Sequence, residues 1–209
     1  NESFYQPFNL ITTTLGDDNR FGISSMEQPA TERSLRLGQD YYPLTLSANG
    51  RTRGELVFAG FGIDAPSLAH DDYRTGSVEG KLVMILDHEP GERNPESPFD
   101  GVVTSEFART LRKVVTAQAR GALAVLFVSD VHNHPESTNF EAVAARTWPT
   151  ASARVSRYML ETWMNKVKIP VVQISPAIAN DLLRVDGASL DELAQSAEAS
   201  GGVTLRTVT

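Results

Sequence analysis

The sequence has no cysteine, no long apolar run and no excess of positive charge, and each absence excludes a class of protein. Without cysteine there is no disulfide framework, no thiolate zinc site and no cysteine nucleophile. The longest apolar stretch, Ala122 to Val128, is too short to cross a bilayer. The 26 acidic residues outnumber the 19 basic ones, and no basic block is present. We therefore expect no membrane span and no nucleic-acid partner.

The remaining composition is that of a globular domain. The chain has 209 residues, of which 41% are hydrophobic and 22% charged, enough for a sizeable core. The first fifty residues are polar and rich in turns, with expected strands at Phe8 to Leu15 and near Tyr42 to Ser47.

The middle of the sequence predicts a strand–helix–strand unit. Apolar runs at Lys81 to Leu86 and Ala122 to Val128 flank a helical stripe over 105–120, which Thr104 or Ser105 can cap and Gly121 ends. This length is typical of a crossover between parallel strands, so part of the sheet should be parallel. Glu55 to Phe61 predicts a further buried strand.

The last third alternates further elements. We expect a short helix near Phe140 to Arg146, while Val155 to Met164 fits either a strand or, from Met159, a helical turn. A strand at Ile169 to Ile174 precedes a helix capped by Ser175-Pro176. Ser189-x-x-Glu192 is a capping box for a final helix, and Val203 to Val208 is a closing strand. The total is about eight strands and three helices, with the helices expected on one outer face of stacked sheets.

Two motifs mimic functional sites. Gly60-x-Gly62-x-x-Ala65 resembles a dinucleotide fingerprint, but Pro66 follows at once and leaves no room for the helix that would hold a pyrophosphate. His132-Asn133-His134, close to Asp130, could direct both imidazoles toward one ion. Polar neighbours and Pro135 favour a solvated loop instead, so we assign no metal ligand. The sequence contains no nucleophile elbow, zinc-protease helix or phosphate loop.

A series of segments resembles the protease-associated domain of bacterial di-zinc aminopeptidases, a group similar to glutamate carboxypeptidase and the transferrin receptor. The segments follow in order: GELVFAGFGIDAP (54–66), DDY (71–73), VEGKLVMIL (78–86), NPESPFDG (94–101), AQARGA (117–122), VLFVSD (125–130) and IPVVQISPAIANDLL (169–183). The resemblance implies three parts: an N-terminal flank (1–53) that ends a first peptidase segment, the domain itself (54–183), and a C-terminal flank (184–209) that leads toward the peptidase.

The resemblance implies an α/β fold of mixed α+β type, the swivelling β/β/α three-layer arrangement. It also implies a non-catalytic role in an exported enzyme: covering the active-site cleft of its own peptidase domain and orienting peptide substrate. In that family two zinc ions lie in the catalytic domain, and no histidine here matches their ligand positions. We therefore assign no catalytic residue, no metal and no cofactor to this chain.

The same resemblance places the excursion after Asp130 beside the cleft, so Asp130, His132, His134 and Trp148 are the expected substrate-side residues. Two other interpretations remain: a stand-alone protein- or peptide-binding module, and a small hydrolase whose acids or histidines assemble only in the folded chain.

Overall fold

The computed structural model describes residues 5–24, 32–136, 139–150, 157–184, 187–199 and 201–208. Twelve short strands lie in these ranges: β1 (Leu10–Ile11), β2 (Gly22–Ile23), β3 (Arg33–Ser34), β4 (Tyr41–Pro43), β5 (Leu56–Phe58), β6 (Asp64–Ala65), β7 (His70–Asp71), β8 (Leu82–Leu86), β9 (Ala124–Val128), β10 (Met159–Leu160), β11 (Val171–Ile174) and β12 (Arg206–Val208). The α-helices described there are α1 (Thr110–Ala119), α2 (Phe140–Thr147), α3 (Glu161–Met164), α4 (Pro176–Leu183) and α5 (Leu190–Ala197).

One six-stranded mixed sheet organises the molecule, in the order β12-β5-β8-β9-β11-β4. The four central strands are parallel, and the two edge strands run antiparallel to them. β8 and β9 pair over five residues, from Leu82 opposite Ala124 to Leu86 opposite Val128, with α1 as their crossover. The predicted parallel strand–helix–strand unit is therefore confirmed, as is the mixed α/β fold class.

The central sheet is buried on both faces, which explains the continuous apolar runs of β8 and β9. Val83 and Ile85 pack in one cluster with Val114 of α1. Met84 and Leu86 point the other way, into a larger cluster that includes residues of α4 and α5. The expectation that helices would cover one face alone is wrong, because α1 packs on one face of the sheet and α4 and α5 pack on the other.

Several predicted strands are shorter in the structure because turns cut them. The expected strand from Glu55 to Phe61 ends at Phe58, since Gly60 and Gly62 adopt the positive φ angles of 52° and 67°. The nearby Pro66 opens only a 3₁₀ turn, Pro66–Leu68. The glycine motif therefore lacks the helix that a dinucleotide site requires.

Other boundaries differ for similar reasons. The expected strand from Phe8 to Leu15 is reduced to β1, which pairs with the two residues of β10. The second N-terminal strand, β4, stops at Pro43, and a turn joins Leu44 to Ser47. The closing strand begins at Arg206 rather than Val203. Over 155–164 both alternatives occur, β10 followed by α3, although residues 151–156 lie outside the described ranges.

The predicted helix caps hold with one exception. Ser175 Oγ accepts a hydrogen bond from Ile178 N at 3.3 Å and starts α4, and Ser189 and Glu192 form the complete capping box of α5. Ser105 instead caps a 3₁₀ turn, Glu106–Ala108, and α1 begins only at Thr110 because Arg109 is extended. Short α2 confirms the expected helix near Phe140.

Both flanks contribute an edge strand to the central sheet: β4 comes from residues 1–53 and β12 from residues 184–209. The three-part division of the chain stays a prediction. Among the described residues, none of the helices has the length and apolar character needed to cross a membrane.

Candidate functional site

Two loops follow the carboxyl ends of the neighbouring parallel strands β8 and β9. The first begins at Asp87 and the second at Ser129. Because both strands run the same way, both loops lie at one edge of the sheet, the usual place for sites in parallel sheets. The residues expected near the cleft all lie in or after the second loop.

The first loop is held by buried polar groups. Glu89 is 1% exposed, accepts a hydrogen bond from Ser105 N at 2.7 Å and also contacts Ser105 Oγ. His88 stands in the left-handed region at φ 64°, an arrangement that costs a non-glycine residue about 1–2 kcal/mol. Gly91 N donates to Glu198 Oε2 at 2.7 Å, which ties this loop to the end of α5.

Asp130 organises the second loop from within. Its side chain is fully buried and accepts hydrogen bonds from His132 N at 3.1 Å and from Asn133 Nδ2 at 2.8 Å. The backbone N–H of His134 donates to the carbonyl oxygen of Asp130 at 3.0 Å. Asp130 therefore shapes the turn that carries both histidines, and its carboxylate is turned inward.

A buried lysine lies beneath the first loop. Lys113 of α1 is 1% exposed, and its Nζ donates to the carbonyl oxygen of Leu86 at 2.9 Å and to that of His88. Burial lowers the pKa of Lys113 to about 8, although nearby acids, Asp87 first, act in the opposite direction. Burial raises the pKa of Asp87, while the hydrogen bond that its carboxylate accepts from Gln173 at 2.9 Å acts to lower this pKa.

The two loops bring three potential metal ligands together. His88 Nδ1 lies 3.1 Å from Glu92 Oε2, and His134 Nε2 contacts the other carboxylate oxygen, Oε1. The imidazole rings of His88 and His134 are 4.2 Å apart between centroids and inclined by 32°. One ligand atom from each of the three side chains lies within 4.8 Å of the others. We call these three residues the histidine–glutamate cluster.

The four residues expected on the substrate side occupy different environments. Asp130 is buried in its turn, and the side chain of His132 is exposed. His134 joins the histidine–glutamate cluster. A shared ion site with His132, the alternative that the His-Asn-His spacing raised, is therefore not what the folded chain forms among these side chains. Trp148 ends α2, and its indole N–H donates to the carbonyl oxygen of Pro43 at 2.7 Å, so it anchors that helix to edge strand β4. Their place beside a substrate stays a prediction.

Sequence reasoning missed His88 and Glu92 as partners of His134. One signal was available. A histidine and a glutamate, four residues apart, lie shortly after the end of β8, and a second histidine lies shortly after the end of the adjacent strand β9. Adjacent parallel strands place such residues at a common edge.

Comparison with known proteins identifies no family. No protein-family description matches the sequence, and no curated protein matches it. One solved structure with a similar chain is the aminopeptidase from Aneurinibacillus sp. strain AM-1, with a TM-score of 0.45 and 16% identity. The similarity covers 85% of this chain but only 29% of the aminopeptidase chain. A likeness this weak assigns no function.

Proposed function

We propose that this chain is a non-catalytic domain of an exported zinc aminopeptidase, of the protease-associated type, which covers the catalytic cleft and helps to admit or orient peptide. The observation that carries the proposal is the ordered series of sequence segments between Gly54 and Leu183. These segments contribute the four central strands of the sheet, β5, β8, β9 and β11, and the helices α1 and α4. The two catalytic zinc ions belong, in this proposal, to the peptidase domain.

The loops at the carboxyl edge give the domain a surface suited to this role. A cover acts on catalysis by limiting access and excluding water, and firmly held loops at its edge can also contact the substrate. The exposed imidazole of His132 is available to a peptide, and the buried carboxylate of Asp130 holds the turn that presents it. In this proposal Asp130 acts as a positioning residue.

A separate apolar surface suits contact with the peptidase domain. Four large side chains in or beside β1, β10 and α3 are more than 40% exposed: Phe8, Leu10, Tyr158 and Trp163. Paired strands bring the two segments together, since Leu10 lies opposite Leu160. Exposed apolar groups clustered in this way commonly mark contacts between domains or proteins.

The proposal is tested by kinetics of the longer protein that contains this domain. His132→Ala should change KM or selectivity for peptide substrates, while hydrolysis of a small aminoacyl anilide, which needs no cover to orient it, should keep its kcat. Arg184→Ala is the matched control, because Arg184 is also exposed but lies at the far end of α4. Peptide kinetics that are the same in both variants and the parent would remove the substrate-side role.

The reading frame that encodes the chain tests the parent enzyme itself. We expect it to encode, downstream of Thr209, a peptidase segment that contains a His-x-Asp motif, with which the zinc ligands of the family that the sequence resembles begin. A frame without such a segment would favour the alternative, a stand-alone module that binds protein or peptide.

A further inference from the structure

We infer that the histidine–glutamate cluster, His88, Glu92 and His134, is a binding site for one divalent transition-metal ion of the zinc type. The site is separate from the two zinc ions of the proposed peptidase domain, because all three ligands belong to this chain. The site is defined by the geometry of the two loops alone and is independent of the proposed function.

The donor set fits zinc chemically. Two imidazole nitrogens and one carboxylate form a set that zinc accepts, with water in the fourth position. Ligand atoms at zinc's bond lengths stand about 3.4 Å apart in a tetrahedron. The His88–Glu92 separation of 3.1 Å is close to this value, and all three ligand atoms lie within 4.8 Å. Small side-chain rotations therefore suffice to surround an ion.

Solvent access suits an open fourth position. The side chains of His88 and His134 are 45% and 43% exposed, whereas Glu92 is only 16% exposed. The carboxylate thus forms the floor of the site and the imidazoles form its rim. An ion enters from solvent, and a water molecule completes its coordination.

The carboxylate floor lacks a satisfactory partner among the described residues. Glu92 Oε1 is buried and makes no well-formed hydrogen bond there, although His134 Nε2 lies against it. Buried polar atoms normally have a hydrogen-bond partner, and one without a partner calls for an explanation such as an ion. A metal ion coordinated by Glu92 and His134 would satisfy both atoms.

The two ligand loops are held in place before any ion binds. Glu198 accepts hydrogen bonds from Gly91 N at 2.7 Å and from Asn133 Nδ2 at 2.5 Å, which joins the loop of His88 and Glu92 to the loop of His134. Lys113 fixes the carbonyl of His88 from below. Outer contacts of this kind orient metal ligands and raise affinity. The bound ion would complete the connection and stiffen the edge of the sheet.

Calorimetric titration of the metal-free chain with Zn²⁺ tests the inference. We expect one saturable site per chain and an affinity at least about tenfold lower in His88→Ala, Glu92→Gln and His134→Ala. His132→Ala is the matched control, since His132 is exposed, lies two residues from His134 and is outside the cluster. It should bind as the parent does.

Two further measurements separate lost binding from lost folding. Each variant should keep the parent's far-ultraviolet circular dichroism without metal, and Glu92→Gln preserves side-chain shape if an alanine variant unfolds. Cobalt(II) should give the visible absorption of a four-coordinate ion in the parent and lose it in Glu92→Gln. No saturable Zn²⁺ binding, or binding weakened equally by His132→Ala, would overturn the site and leave a cluster of ion pairs.

Discussion

Replacing Gly202 with alanine should destabilise the protein far more than replacing Gly38. Gly202 adopts φ 96°, and an added Cβ would lie 2.6 Å from the carbonyl carbon of Asp71 and 2.9 Å from Asp72 N, with the Asp71 oxygen closer still. All three obstacles are backbone atoms, which cannot rotate away. Gly38 has a similar φ of 81°, but its surroundings leave open space for a Cβ.

The two substitutions share one energy term and differ in the other. An alanine in the left-handed region costs about 1–2 kcal/mol, and this alone applies to Gly38→Ala. Gly202→Ala adds a clash that must move backbone in a well-packed region, for a total of about 3–5 kcal/mol. For a chain of this size 1 kcal/mol corresponds to about 2–4 °C in Tm. We therefore expect a loss of about 10 °C for Gly202→Ala and about 3 °C for Gly38→Ala.

The assay is thermal and urea unfolding of both variants beside the parent. The result bears on domain organisation, because Gly202 lies where the C-terminal flank meets the first half of the chain. The carbonyl oxygen of Gly202 accepts a hydrogen bond from Arg74 at 2.8 Å, and Val203 N donates one to buried Asp72 at 3.1 Å. Equal losses in the two variants would refute this contact and would make the flank a loose extension.

Three further predictions concern charge and capping. Burial lowers the pKa of Lys113 to about 8, so the unfolded chain binds more protons than the folded chain between pH 8 and pH 10.5. The unfolding free energy of the parent, measured in urea relative to Lys113→Met, should therefore rise across that window by about 3 kcal/mol. Parallel pH curves for the two proteins would contradict this prediction. Arg120 bridges two carboxylates at 2.6 and 3.2 Å, so Arg120→Met should lower the unfolding free energy by about 2 kcal/mol. Arg112 pairs with an exposed carboxylate, so Arg112→Met should lower it by less than about 1 kcal/mol. A larger loss for Arg112→Met in chemical denaturation would contradict this prediction. Ser189→Ala should remove the capping box of α5 and about 1 kcal/mol of stability, and an unchanged unfolding midpoint would show that the cap is dispensable.

The sequence predicted those elements whose structure depends on local pattern and burial. β8 and β9 were recognised because strands buried on both faces have continuous apolar runs, and α5 because its capping box is a local signal. The order of strands beyond the crossover unit and the position of helices on both faces depend on long-range packing. No local pattern reports which side of the sheet α4 will cover.

The candidate site was predictable only in part, for a physical reason. From the sequence, His132 and His134 were expected in a loop after Asp130 and were assigned no metal, and the partners of His134 come from a different loop. They converge because β8 and β9 are neighbours and because His88 takes a left-handed conformation, which residue propensity does not favour. A contact between side chains so far apart in the chain needs the sheet topology.

We propose that this chain covers a catalytic centre housed elsewhere and does not cleave peptides itself. The most direct measurement is the incubation of the purified chain with a panel of aminoacyl and peptide substrates, with and without added Zn²⁺. We expect no product above the metal-only blank, even where one Zn²⁺ is bound. Saturable turnover that is lost in His134→Ala would contradict it and establish a hydrolase.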